Sequence, residues 1–335
     1  MYLMLNKSIP LFFVFYGTLF TLSSSSWLMA WVGLEVNMMA FIPIILTNNK
    51  LSNESALKYF LVQASGSIMI FLSTIVLMNN HIMNSMDLTN LLASSAIPLA
   101  LALKLGASPV HFWFPQVMEG LSWFASIMLL TWQKIAPLFL MTTYSLSSLF
   151  IYVVVLLSSA VGAIGGLNQL LLRKILAYSS INHLAWMIMS AMISISVLFT
   201  YFLIYSLITL TIILILMSNN FIHLTQLMNN HFSLSLISVG LFLNLLSLGG
   251  MPPFIGFLPK WLVLTSLTSG NLFLISVFLV MCSVLTLYFY MRVSFNLLMM
   301  APKLYWFNNS LTPLKGFLKL LSMSPIITLP LMIMI

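Results

Sequence analysis

The sequence predicts an all-α polytopic membrane protein, and the prediction rests on its composition and its apolar runs. Of 335 residues, only 12 are Lys or Arg and 4 are Asp or Glu, so charged residues make up 5% of the chain, where a soluble domain carries about a quarter. Hydrophobic residues make up 61%, which leaves too little polar surface to cover a water-facing globule. Apolar runs of membrane-spanning length recur along the whole chain, so lipid is the expected solvent.

Apolar runs bounded by polar, Gly or Pro residues predict about eleven transmembrane helices. The first two runs are separated by four serines and the next pair by a short polar segment, which is typical of loops at a membrane surface. In order, the predicted spans are about 9–22, 27–46, 55–78, 91–114, 121–142, 149–172, 175–193, 195–217, 232–266, 272–298 and 318–335.

The fourth and ninth runs are interrupted in the same way. Residues 106–109 read Gly-Ala-Ser-Pro, and residues 249–253 read Gly-Gly-Met-Pro-Pro. A proline lacks the backbone N–H and therefore frees the carbonyl four residues earlier, which is Leu105 in the fourth run and Leu248 and Gly249 in the ninth. Freed carbonyls inside a membrane need a polar cavity. The sequence therefore predicts two broken helices beside polar interior space.

The two breaks predict an internal repeat. Pairing spans 1–5 with spans 6–10 puts the breaks in corresponding positions, and five spans per unit is an odd number, so the repeats would be inverted, as in many transporters. The predicted organisation is a five-helix repeat at 1–142, a second, inverted five-helix repeat at 143–299, and a basic loop with a C-terminal transmembrane helix at 300–335.

The basic residues of the predicted loops indicate the orientation. When eleven spans alternate in direction, all the Lys and Arg residues of the loops fall on the side of the N-terminus, whereas Asp87 lies on the opposite side. The positive side is the inner side, so the N-terminus is predicted to be inside. The residues that set this pattern are Lys7, Lys50, Arg173, Arg292, Lys303, Lys315 and Lys319.

Four ionisable residues lie within predicted spans and not in loops. They are Glu35 in the second span, Lys104 in the fourth, Lys134 in the fifth and Lys260 in the ninth. Each charge at the centre of a membrane costs about 2.5–3.5 kcal/mol, so these residues must face a polar interior. A buried ion pair that only holds helices together is one interpretation, but a single carboxylate cannot pair with three lysines.

A lysine within a membrane is suited to proton transfer. Desolvation disfavours the ammonium and a nearby carboxylate favours it, so a small movement can load or release a proton. His111 is a further relay candidate, although a lone histidine on an apolar helix is equally compatible with a hydrogen-bonded core residue. Lys58 lies one turn from Glu54, and this pair fits either an interfacial ion pair or the relay. Side chains able to link such stations are Ser108, Gln133, Tyr178 and His183.

Other functional classes are excluded by what the sequence lacks. A single cysteine, Cys282, excludes an internal disulfide and any cluster held by several cysteines. The chain has no Walker A, HExxH or GxSxG motif, and Gly-Ala-Ile-Gly-Gly at 162–166 indicates a close-packing surface. The basic residues are scattered between apolar runs, so nucleic acid is not an expected partner. No cofactor or metal site is expected in this chain.

Six strings of residues carry a resemblance to a known family. They resemble the antiporter-like membrane subunits of respiratory complex I, the mitochondrial NADH–ubiquinone oxidoreductase, in order and in spacing over nearly the whole chain. The 25 methionines also suit an organelle-encoded product. The strings are WLMAWVGLEVNMMAFIPI (27–44), SALKYFLVQA (55–64), LALKLGASPVHFWFPQVMEG (101–120), LLTWQKIAP (129–137), KILAYSSINHLAWM (174–187) and LGGMPPFIGFLPKW (248–261).

The resemblance implies a fold shared with cation/proton antiporter subunits, in a short animal form that lacks the first three of fourteen helices. It implies that Glu35 is the half-channel glutamate and modulates Lys104, the lysine of the first broken helix. Lys134 is the implied central lysine, which relays protons along the axis. Lys260 is the implied lysine of the second broken helix, which exchanges protons with a neighbouring subunit or an aqueous exit.

The resemblance also implies a function and partners. The implied function is proton translocation across the mitochondrial inner membrane, driven by electron transfer from NADH to ubiquinone in other subunits, which hold the NADH, FMN, iron–sulfur clusters and ubiquinone. Implied neighbours are the complex I chains 4 and 4L, the long lateral helix of chain 5, and phospholipids. The N-terminus would lie in the matrix and the C-terminus on the intermembrane side. An autonomous sodium or potassium/proton antiporter and a purely structural subunit are the alternatives.

Overall fold

A computed structural model describes residues 2–47, 49–83, 88–143, 148–229 and 236–299. Over these ranges the regular structure is α-helical, and the only β-structure there is one isolated bridge between Leu171 and His223. The helices are α1 (Tyr2–Ser23), α2 (Trp27–Ile45), α3 (Lys50–Met83), α4 (Leu88–Leu105), α5 (Trp113–Gly120), α6 (Trp123–Leu130), α7 (Trp132–Thr143), α8 (Ser148–Gly165), α9 (Leu172–Ile193), α10 (Ile195–Ser218), α11 (Leu224–Asn229), α12 (Leu236–Gly249), α13 (Phe257–Ser269) and α14 (Phe273–Met299).

Five helical segments of the described residues are long and apolar enough to cross a membrane. Shorter apolar helices occur at Ser8–Ser23, Ser95–Leu105, Phe150–Gly165 and Val239–Gly249. The predicted basic loop and last span, at 300–335, lie outside the described residues, as does Asp87. The five long segments are Trp27–Ile45, Lys50–Met78, Trp123–Thr143, Ile195–Ser218 and Phe273–Phe295.

The chain divides into two compact units, Met1–Ser158 and Ser159–Ile335. In the first unit, α1 packs along α2, α3 packs against α2, α4 and α5, and α7 packs against α4 and α6. The α1–α2 approach is close because small residues face each other. A Cβ atom added at Gly33 would lie 2.5 Å from Thr21 Cγ2, and one at Gly17 would lie 2.9 Å from the backbone nitrogen of Asn37.

In the second unit, α9 is the central element. Every residue from Ser179 to Ala191 is buried, and α9 packs against α10, α13 and α14. At the glycines of 162–166, a Cβ at Gly162 would lie 2.5 Å from the Asn182 backbone nitrogen, and one at Gly165 would lie 2.4 Å from the Tyr178 ring. The prediction that these glycines form a close-packing surface is therefore confirmed.

Several predicted helix boundaries are wrong. The loop expected at 115–120 is helical in α5, and the fifth run, expected to be continuous over 121–142, is interrupted at Thr131 between α6 and α7. The sixth apolar run was expected to continue to residue 172, whereas α8 ends at Gly165. The apolar residues beyond it are not helical because their backbone groups bond elsewhere. The guanidinium of Arg292 donates to the carbonyl oxygens of Leu167 and Gln169, and the Leu172 N–H donates to the Ile222 carbonyl at 3.0 Å. A hydropathy pattern cannot detect an arginine that lies over a hundred residues away.

Candidate functional site

Both predicted helix breaks are present, and the first follows Lys104. Helix α4 ends at Leu105, and Gly106 adopts a left-handed backbone conformation with φ +78°. The Gly106 N–H donates to the Leu103 carbonyl at 3.1 Å and the Ala107 N–H to the Ala102 carbonyl at 2.9 Å, which is the Schellman pattern of a helix C-terminus. The helix therefore ends at a glycine cap three residues before Pro109.

Side chains also donate to two carbonyls of this last turn. Trp113 Nε1 donates to the Leu103 carbonyl at 3.1 Å, and Gln63 Nε2 donates to the Lys104 carbonyl at 3.1 Å. The sequence predicts that the carbonyl of Leu105 needs a polar partner. In the structure, the carbonyls that accept from side chains are those of Leu103 and Lys104, two residues and one residue earlier. Gln63 thereby ties α3 to the end of the helix that carries Lys104.

The second break has the same cap. Helix α12 ends at Gly249, Gly250 has φ +81°, its N–H donates to the Ser247 carbonyl at 3.0 Å, and the Met251 N–H donates to the Leu246 carbonyl at 3.3 Å. The predicted free carbonyl of Gly249 accepts a hydrogen bond from Lys260 Nζ at 2.8 Å, as expected of a carbonyl that needs a polar partner. In both breaks, the next helix begins seven residues after the capping glycine, at Trp113 after Gly106 and at Phe257 after Gly250.

Lys104 and Lys134 line one small cavity in the first unit. Both side chains are buried, with 7% of Lys104 and 2% of Lys134 exposed. The cavity leaves about 20 Å³ for the centre of a water molecule, which is room for about one water. Its walls are otherwise a mixture of amides, a phenol and apolar side chains. The polar residues of the lining are Asn37, Tyr59, Gln63, Lys104, Gln133 and Lys134.

A hydrogen bond between two amides closes one wall of this cavity. Gln133 Nε2 donates to Asn37 Oδ1 at 2.9 Å and so joins α7 to α2. The adjacent Lys134 lies in the first turn of α7, just after the interruption at Thr131 that separates α6 from α7. Its ammonium lies 5.7 Å from the centre of the Phe114 ring.

Glu35 lies outside this cavity but acts on Lys104. The carboxylate is half-buried on α2 and lines an open groove of about 440 Å³ whose other walls are apolar, among them Ile9, Phe13 and Met39. An electrostatic attraction connects Glu35 with the Lys104 ammonium. The structure thus brings the predicted carboxylate and lysine into one electrostatic unit, with Glu35 on its more open side.

Lys260 forms the corresponding site in the second unit. The side chain is buried, with 5% exposed, and its ammonium lies against the Gly249 carbonyl and 5.9 Å from the centre of the Trp186 ring. The ammonium therefore sits at the C-terminal end of α12, where the helix dipole favours a cation. Lys104 lies in the last turn of its own helix, so both broken helices have a lysine at the same end.

The structure does not bring the remaining predicted residues to the cavity. His111 is buried in the first break, where its Nδ1 lies 3.2 Å from the Pro109 carbonyl and its ring packs on Phe112. Lys58 and Glu54 are both exposed on α3. His183 lies in the second unit, with its Nδ1 2.9 Å from the Tyr201 hydroxyl.

The residues that sequence reasoning missed include two amides and the ring of Trp186. Asn37 and Gln63 are single amides within apolar runs, and that isolation was an available signal because an unpaired amide is costly in a membrane. Trp186 carried no such signal, since a tryptophan in an apolar span equally suits a lipid-facing or an interfacial position. Only the fold shows that its ring faces Lys260.

Capped helix breaks with a buried lysine at each, in a chain of apolar helices, define a class of membrane protein that holds charge within the bilayer. Residues 24–286 match the family described as NADH:quinone oxidoreductase/Mrp antiporter, transmembrane. The chain is 46% identical over 300 residues to NADH-ubiquinone oxidoreductase chain 2 of Anopheles gambiae, covering 88% of this chain and 87% of that one. It therefore belongs to the NADH-ubiquinone oxidoreductase chain 2 family.

Further relatives agree with this assignment, and solved structures share the fold. Chain 2 of Mammuthus primigenius is 44% identical, covering 83% of this chain and 81% of that one. The fold is similar to a chain of respiratory complex I from Thermus thermophilus, with a TM-score of 0.85 and 21% identity over 96% of this chain and 77% of that one. A chain of the Mrp complex from Dietzia sp. gives a TM-score of 0.77 and 16% identity over 88% of this chain and 60% of that one.

Proposed function

We propose that this chain is a core membrane subunit of respiratory complex I in the mitochondrial inner membrane and takes part in proton translocation coupled to electron transfer from NADH to ubiquinone. The observation that carries the proposal is the small cavity that Lys104 and Lys134 share, in a chain closely similar to named complex I subunits. Two buried ammonium groups at one water-sized cavity have no structural advantage, because each is costly to desolvate.

The cavity suits proton exchange between its two lysines. Its volume accepts about one water, and a water there can donate to one group while accepting from another. Glu35 attracts the proton to Lys104 from its groove, and the Gln133–Asn37 bond keeps α7 and α2 in register around the cavity. In this proposal, Lys104 and Lys134 carry the proton through the first unit, with His111 and Lys58 as outer candidates.

Lys260 is the proton-exchanging group of the second unit in this proposal. Its hydrogen bond to the Gly249 carbonyl requires a donor, and both the ammonium and the neutral amine can donate, so the lysine can change protonation without losing its place. The proton would then pass to a neighbouring subunit or to an aqueous exit.

The finer architecture is also a proposal. We infer eleven transmembrane helices, with five-helix repeats of opposite topology at 1–142 and 143–299, a basic loop and a final helix at 300–335, and the N-terminus in the matrix. The two breaks support the repeat because the distance from the capping glycine to the next helix is seven residues in both, from Gly106 to Trp113 and from Gly250 to Phe257. The basic loop residues support the orientation.

The redox chemistry belongs to partner subunits in this proposal. The chain itself would hold no redox cofactor, and NADH, FMN, iron–sulfur clusters and ubiquinone would bind elsewhere in the complex. Moving one charge against 100 mV costs about 2.3 kcal/mol, which the distant electron transfer must supply. Proposed neighbours are chains 4 and 4L, the lateral helix of chain 5, and phospholipids. The similar folds come from membrane complexes, which supports the proposal that this chain is a subunit of a larger complex.

An autonomous cation/proton antiporter is the second candidate, because the fold is similar to a chain of the Mrp complex. Native electrophoresis of gently solubilised membranes distinguishes the two. Co-migration of this chain with NADH dehydrogenase activity in one very large assembly is the expected result. Migration without that activity, together with sodium or potassium flux by the purified chain in vesicles, would contradict the complex I assignment and support the antiporter.

A further inference from the structure

Two of the buried lysines lie against the face of an aromatic ring. Lys134 Nζ is 5.7 Å from the centre of the Phe114 ring, and Lys260 Nζ is 5.9 Å from the centre of the Trp186 ring. A cation within about 6 Å of an aromatic face is attracted by the ring, most strongly by an indole. A neutral amine lacks this attraction, so such a ring distinguishes the two protonation states of a lysine.

The Lys260 side chain is also confined by the glycine cap of α12. Its ammonium donates to the Gly249 carbonyl at 2.8 Å, and the next residue, Gly250, leaves no space for a side chain. A Cβ atom at Gly250 would lie 2.8 Å from Lys260 Cδ and 2.9 Å from Nζ. The lysine therefore occupies a slot between the glycine cap of α12 and the indole of Trp186.

Packing alone does not explain a tryptophan at position 186. The side chain is fully buried on α9, and its Nε1 has no hydrogen-bond partner among the described residues. A buried N–H without an acceptor is unfavourable, and a phenylalanine would fill an apolar space without that cost. The stronger attraction of an indole face for a cation is a compensating gain that phenylalanine cannot match.

We propose that Trp186 is a positioning residue for Lys260, whose indole face holds the ammonium against the Gly249 carbonyl and favours the protonated lysine. The inference rests on the proposed function, in which Lys260 exchanges protons. Phe114 stands in the same relation to Lys134 in the first unit. There the capping glycine, Gly106, packs against the ring and not against the lysine. A Cβ at Gly106 would lie 2.8 Å from Phe114 Cδ2.

Other titratable groups lie on the helices that pack against α13, and a pH experiment must account for them. Helix α13 packs against α9, α10, α12 and α14. Any effect of these groups is common to wild type and to variants of Trp186, so a comparison between them isolates the ring. The groups are Arg173, Lys174, Tyr178 and His183 on α9, Tyr201 and Tyr205 on α10, and Cys282, Tyr288, Tyr290 and Arg292 on α14.

The test measures proton pumping against pH in the assembled complex, reconstituted in vesicles, for Trp186→Leu and Trp186→Phe. In Trp186→Leu, Lys260 should bind its proton roughly three- to tenfold more weakly, so pumping should decline at a pH lower by about half a unit to one unit. Trp186→Phe should recover part of that shift, because a phenyl face still attracts a cation. The matched control is Phe289→Leu, which removes a buried ring of the same unit that packs on Tyr290.

The outcomes separate this inference from the proposed function. An unshifted profile in Trp186→Leu, or the same loss in Trp186→Leu, Trp186→Phe and Phe289→Leu, would overturn the positioning role. If Trp186→Leu does not assemble, Trp186→Phe decides, since a profile identical to wild type would contradict the inference. Lys260→Met tests the function itself, because wild-type pumping in that variant would remove Lys260 from proton transfer whatever the indole does.

Discussion

At the scale of single residues, Lys104 and Lys134 show how buried charges are tolerated. Each contributes to one cavity of about a water's size, and amides on three helices surround it. The Gln133 amide donates to Asn37 at 2.9 Å, and the Gln63 amide donates to the backbone carbonyl of Lys104 at the end of α4. The two lysines are thus buried beside polar groups and not in a wholly apolar core.

Substitution of Asn37 by Leu should weaken the first unit. The change leaves the half-buried Gln133 amide without its acceptor, which costs about 1 kcal/mol, at the low end of the range for a buried group, and it makes the wall of the lysine cavity more apolar. We expect lower thermal stability of the assembled complex and reduced proton pumping per electron. Asn37→Asp keeps an acceptor for Gln133 and should retain more of both. Equal melting temperature and pumping in Asn37→Leu and wild type would show that this hydrogen bond has no role.

Charge reversal at Glu35 should be more harmful than neutralisation. Glu35→Gln loses an attraction to Lys104, whereas Glu35→Lys adds a repulsion, which is about 4 kcal/mol for charges 4 Å apart at an effective dielectric of 20 and falls inversely with their distance. NADH-driven pumping by the two variants in vesicles measures the ranking. The prediction fails if Glu35→Gln loses as much activity as Glu35→Lys, because the carboxylate would then act through something other than its charge.

At the scale of elements, the end of α4 is determined by Gly106 and not by Pro109. The helix is already capped at Gly106, whereas Pro109 is exposed three residues later. Gly106→Ala forces a side chain into a left-handed conformation and places its Cβ 2.8 Å from the Phe114 ring, which together should cost a few kcal/mol. Pro109→Ala should cost less, since it meets neither constraint.

The measurement for this comparison is complex assembly and coupled activity in the two variants, with Gly270→Ala as the matched control. A Cβ at Gly270 would lie 3.4 Å from its nearest neighbour, the Ser266 carbonyl oxygen, so that substitution should be nearly neutral. If Pro109→Ala impairs activity more than Gly106→Ala does, the proline and not the glycine cap determines the break.

Sequence predicted the breaks, and the reasons are local. The Gly-Ala-Ser-Pro and Gly-Gly-Met-Pro-Pro segments carry their helix-stopping chemistry within a few residues, so their positions could be predicted without a fold. The end of α8 could not, because it depends on Arg292 from α14. For the same reason, the sequence indicated which lysines are buried but not which amides and rings surround them.

At the scale of the whole molecule, each unit contains one capped break with a lysine at the C-terminal end of the broken helix. The first unit places Lys104 within that helix, whereas the second brings Lys260 from the helix that follows the break. Both arrangements put a cation at the negative end of a helix dipole. The two lysines thus reach equivalent helix ends from different positions in the sequence. For this reason, the alignment of the two breaks does not place Lys104 opposite Lys260.

The central claim is that buried lysines of this chain carry protons, and the proton-to-electron ratio of the assembled complex in vesicles tests it most directly. Lys104→Met keeps the side-chain volume without the charge, and Lys104→Arg keeps a charge that does not release its proton. The account predicts a lowered ratio or lost coupled turnover in both, with Lys50→Met, a change at an exposed lysine, as the control that stays at wild type. A wild-type ratio and turnover in Lys104→Met and Lys104→Arg, with assembly intact, would contradict the account.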